Sequence, residues 1–107
     1  MSYNKLVRDK IPDIIKENGE KPIIRILDDF EYKLELEKKL LEEYNEVLDS
    51  NGDSRLEELA DMIEVISHLA GVEGASLDKV VEIANVKKSK RGGFQNKIYL
   101  IGVDNSN

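Results

Sequence analysis

The sequence predicts an all-α protein, a helical hairpin plus a third helix that associates with further copies into a helical bundle. Three observations carry this. Apolar residues recur at helical spacing over two long segments, 29–48 and 54–70, with Asn51 and Gly52 breaking the pattern between them. A third helical pattern, LDKVVEIANVKKSK, follows Ser76. On the second long segment, Leu56, Leu59, Ala60, Met62, Ile63, Val65, Ile66, Leu69 and Ala70 spread over about 220° of the helical wheel, wider than the stripe one neighbouring helix covers.

Taken in order, residues 9–18 read as a short helix with Pro12 in its first turn and Gly19 as its stop. KPIIRIL, 21–27, is a short apolar run of strand type. The segment 29–48 carries Phe30, Leu34, Leu40, Leu41, Tyr44, Val47 and Leu48 at helical intervals. Ser54 with Glu57 three residues on matches a capping box and predicts the start of the next helix, which Gly71 and Gly74 close. Gly92-Gly93 separates the last helix from KIYLIGV, 97–103, a β-branched and aromatic run that is the second strand candidate. The wide apolar arc predicts a homo-oligomer, a dimer or a tetramer.

Composition narrows the chemistry. The 107 residues predict one domain, residues 1–107. Without cysteine there is no disulfide, thiolate metal site or thiol nucleophile. The net charge of -6, from 22 acidic and 16 basic residues, opposes binding to nucleic acid, though it permits a phosphate ligand bridged by a metal. No apolar run approaches the roughly 20 residues of a membrane span, and MSYNKLVRDK lacks the apolar core of a signal peptide, so a soluble, cytoplasmic protein is expected.

The carboxylates of LLEEYNEVLDSNGDSRLEELADMIEV, 40–65, hold the functional signal. Glu43 and Glu46 stand at i,i+3 on the first long helix, and Glu58 and Asp61 stand likewise on the second. Neither Glu46 nor Asp61 has a cation three or four residues away. Glu58 falls between Val65 and Leu69 on the wheel, and Glu43 lies in line with Leu36 and Tyr32, so both enter apolar faces. A carboxylate so placed needs a proton, a cation or a metal. In a chain this acidic, such pairs also arise on solvated faces. A calcium loop over Asp49, Asn51 and Asp53 fails, because its sixth position is Ser54 instead of Gly and its twelfth is Ala60 instead of Glu.

EEYNE followed by EELAD resembles the ExxE and ExxD motifs of the MazG-like all-α nucleoside triphosphate pyrophosphohydrolases, the superfamily of phosphoribosyl-ATP pyrophosphohydrolase and dimeric dUTPase. The opening NKLVRDKIP and the late KKSKRGGF are similar to the ends of a small single-domain branch, so the likeness spans nearly the whole chain. It implies Glu43, Glu46, Glu58 and Asp61 as Mg²⁺ ligands and a nucleoside triphosphate as substrate, cleaved to monophosphate and pyrophosphate in a house-cleaning role. Only 11 residues separate Glu46 from Glu58, which leaves no elaborate substrate loop between the motifs. Glu46, crowded by carboxylates, is the candidate general base.

Lys87, Lys90 and Arg91 precede Gly92-Gly93, whose backbone amides leave room for a phosphate; the same cations also complement a helix macrodipole. The resemblance implies that these three bind substrate phosphates, with Arg8 and Lys5 as further candidates. His68 reads as a solvated histidine with no role. The readings that compete with an enzyme are a noncatalytic nucleotide sensor and a structural oligomerisation module.

Overall fold

A computed structural model describes residues 4–106. Among these the chain is all-helical, with α1 Ile11–Glu17, α2 Asp29–Leu48, α3 Gly52–Val72 and α4 Leu77–Arg91. It divides into two compact units, one ending at Leu77 and the other beginning at Asp78. No helix is long and apolar enough to cross a membrane.

The first unit is organised by the pairing of α2 with α3. α2 starts where the Asp28 side chain accepts a hydrogen bond from the Glu31 amide at 2.8 Å, with Asp29 and Glu31 adding acidic charge to the positive end of the helix dipole. It ends at Leu48. Three residues then turn the chain into α3, which makes the two helices antiparallel: Tyr32 near the start of α2 shares a cleft with Gly71 and Val72 at the end of α3, while Glu43 meets Glu58 and Asp61.

α3 begins two residues before the predicted capping box. Gly52 has φ +55, a left-handed conformation that glycine adopts without steric cost, and Asn51 is the cap. Ser54 therefore lies inside the first turn and the box does not form. The far end closes around Gly74, φ +76, with the Ala75 amide bonded to the Ala70 carbonyl at 2.9 Å. Gly19 ends α1 in the same way, the Glu20 amide reaching the Ile15 carbonyl at 3.1 Å.

The two strand candidates are corrected. Residues 21–27 and 97–103 lie outside regular structure, with Ile23 97% and Ile101 95% exposed. Apolar, β-branched composition suits a pleated surface, but a strand exists only where a second strand completes its ladder, and Pro22 lacks a donor for one.

The core among the described residues is small: Leu36 on α2 with Val65 and Ala70 on α3. Glu43 is buried beside it. On α3, Leu56, Leu59 and Ile63 remain exposed, at wheel positions about 120° or more from Val65. One hairpin covers one side of the arc and leaves the other open.

In the second unit α4 carries Lys88, Lys90 and Arg91 in its last turn and stops at Gly92, φ +83. The Gly92 amide bonds to the Lys88 carbonyl at 2.8 Å.

Candidate metal centre

Helical periodicity builds the site. Glu43 is two turns after Leu36 on α2, and Glu58 is two turns before Val65 on α3, so each carboxylate continues the row of a buried apolar residue into the interface. Asp61, one turn beyond Glu58, joins them. Carboxylate oxygens of Glu43, Glu58 and Asp61 all lie within 4.8 Å of one another. Glu43 is only 8% exposed, and the other two are half-buried.

Of the four predicted ligands, Glu46 stands outside this group. Three residues past Glu43 it is rotated about 60° around the helix, and it is exposed. Its charge still reaches Glu58.

The electrostatics follow from crowding. Burial raises the proton affinity of Glu43 above the ordinary carboxylate range, and the charges of Asp61, Glu42 and Glu58 add to the shift. Desolvation also raises that of Glu58, followed by Asp61, Glu46 and Glu57, with a hydrogen bond from Glu43 acting in the opposite sense. In both, loss of water is the larger cause and the neighbouring carboxylates add to it.

Arg8 and Lys39 are among the cations that reach the cluster. The Arg8 Nη2 donates to Asp61 Oδ1 at 2.8 Å, and Lys39 Nζ lies 3.9 Å from Glu43 Oε1 and 3.6 Å from Glu42 Oε1. Local spacing offers Asp61 no cation, because Arg8 is 53 residues away along the chain. Lys39 was missed as well, although its spacing of four from Glu43 was the available signal.

The residues fit a hard divalent cation. Three carboxylates converge from two helices, one of them withdrawn from water, and an all-oxygen donor set is the kind that hard divalent cations take. Arg8 and Lys39 bring positive charge to its edges.

The other predicted residues fall elsewhere. Lys5 is exposed in the first unit. Lys87, Lys90 and Arg91 are exposed in the second, where Arg91 lines a cleft of about 250 Å³ with Gly92, Gly93 and the residues up to Ile98. His68 Nε2 is 2.7 Å from Glu64 Oε2 and lines a cleft of about 380 Å³ with Asp29, Tyr32, Gly71 and Val72.

No family model matches the chain, and no solved structure matches it. A protein of Mycolicibacterium smegmatis described as uncharacterized is 50% identical over 42 residues, covering 39% of this chain. The match spans 43% of that relative's own length.

Proposed function

We propose that the protein is a Mg²⁺-dependent nucleoside triphosphate pyrophosphohydrolase of the MazG-like superfamily. It cleaves its substrate to nucleoside monophosphate and pyrophosphate and removes noncanonical or excess nucleotides from the cytoplasm. The observation that carries this reading is Glu43: a carboxylate 8% exposed, facing two more within 4.8 Å across the hairpin. The ExxE and ExxD spacing accounts for all three residues, and the similar chain ends point to the same superfamily.

Bound there, Mg²⁺ supplies positive charge for the polyphosphate and acidifies water. The chain's own groups do the rest. Glu43, Glu58 and Asp61 fix the position of charge between two helices. Glu46, exposed beside Glu58, takes the proton of the attacking water. Arg8, at the edge of the cluster, offers a guanidinium to phosphate oxygens. Lys5, Lys87, Lys90 and Arg91 are further candidates for binding phosphate.

A homo-oligomer belongs to the same reading. Leu56, Leu59 and Ile63 present an exposed apolar strip on α3, 64%, 40% and 51% exposed, which a second copy covers in a dimer or tetramer.

The test is a panel of standard and modified nucleoside triphosphates incubated with Mg²⁺ and analysed for monophosphate and pyrophosphate. Release of pyrophosphate from at least one member supports the reading. Mg²⁺-dependent binding without turnover selects a nucleotide sensor, and no binding selects a structural module.

A further inference from the structure

We propose that Arg8 is an exchangeable counter-ion: its guanidinium holds Asp61 until a divalent cation claims that carboxylate, and then turns to an anionic oxygen of the phosphate ligand. The inference rests on the metal-centre reading and adds a coupling between cation and phosphate binding.

The geometry has three parts. The contact is a single hydrogen bond, Nη2 to Oδ1 at 2.8 Å, which engages one of the five N–H donors of a guanidinium. Both partners are open to water, their side chains 57% and 40% exposed. Arg8 also precedes α1, in a non-helical stretch, so its side chain can rotate without breaking a helix.

An exposed ion pair is weak, because high dielectric screens it and holding two side chains costs entropy. A divalent ion shared by three carboxylates displaces a single guanidinium from one of them at small cost. The released group is then beside the ion, and its planar fork matches a phosphate, whereas Lys offers only a point charge. The alternative role is a clamp that merely pins residues 4–10 to α3. Losing Arg8 removes a competing positive charge in either role, so phosphate binding separates them: a clamp leaves it unchanged, whereas exchange predicts that it weakens.

The experiment uses the full chain, with Arg8→Gln and Arg8→Lys beside the wild type. Mg²⁺ affinity is measured by calorimetry with the metal alone, and inorganic pyrophosphate binding is measured at saturating Mg²⁺. Exchange predicts that Arg8→Gln binds Mg²⁺ about two- to fivefold more tightly, the range an exposed ion pair supplies. The same variant binds pyrophosphate about tenfold more weakly, having lost a charge-assisted contact. Arg8→Lys keeps the wild-type Mg²⁺ affinity but loses part of the pyrophosphate affinity. Unchanged or weaker Mg²⁺ binding in Arg8→Gln, or undiminished pyrophosphate binding, overturns the exchange while leaving the metal centre intact. Failure of the wild type to bind Mg²⁺ overturns both.

Discussion

Glu43 on α2 and Glu58 on α3 bring carboxylate oxygens within 4.8 Å of each other across the hairpin interface, with Glu43 almost wholly withdrawn from water. Like charges so close, one of them desolvated, favour whatever cation or proton joins them. Folding alone therefore works against this pair.

One consequence is an unusual pH dependence without Mg²⁺. Glu43 and Glu58 bind protons more tightly folded than unfolded. Their contribution to stability is fully present below the ordinary carboxylate value of 4.5 and is lost as pH rises through the raised folded value. Glu31, held below that range by its hydrogen bond from Arg25, acts in the opposite sense and only at lower pH. Thermal melts in a chelator should show Tm falling as pH rises above the ordinary carboxylate value of 4.5. Glu43→Gln should flatten that slope; a Tm that climbs steadily to pH 7 in the wild type contradicts the assignment.

Leu36 is the most buried apolar residue described, 3% exposed, in a core with few other members. Leu36→Ala should cost about 2–5 kcal/mol, the range for a large-to-small change that leaves a cavity. Urea unfolding measures it, and a loss below about 1 kcal/mol places the core elsewhere.

Ile63 lies on the open side of the α3 arc, 51% exposed, away from Val65. Ile63→Asp should shift sedimentation at micromolar concentration from oligomer to monomer, while the circular dichroism of the hairpin survives. A wild type that sediments as a monomer rules out the proposed assembly.

The periodicity of 100° per residue made much of this legible. It set the span of α2, placed Glu43 in the row of Leu36, and placed Glu58 beside Val65. Glu46 and Asp61 each follow their partner by three residues, yet Asp61 joins the group and Glu46 does not, since i,i+3 spacing alone does not tell to which side of the row the second carboxylate falls. The start of α3 was misread because Ser54 and Glu57 have the composition of a box, while Gly52 and its left-handed backbone admit an earlier start. For 21–27 and 97–103, composition reports a taste for a pleated surface but not whether a partner strand is present. The Arg8–Asp61 pair depends on the path of the chain between residues 53 apart, which no local pattern records.

The central claim, that Glu58 is one of the ligands of a catalytic Mg²⁺, is tested by Glu58→Gln. The amide keeps the shape and removes the charge. Thermal melts of both proteins with and without Mg²⁺, run beside the pyrophosphate-release assay, should show the wild type gaining more from Mg²⁺ than the variant. The variant should melt at or above the wild type when the metal is chelated, since one repulsive charge is gone, and it should release no pyrophosphate. Equal Mg²⁺ stabilisation of the two proteins, or full activity in Glu58→Gln, contradicts the claim and leaves the cluster as acidic residues with no metal to hold.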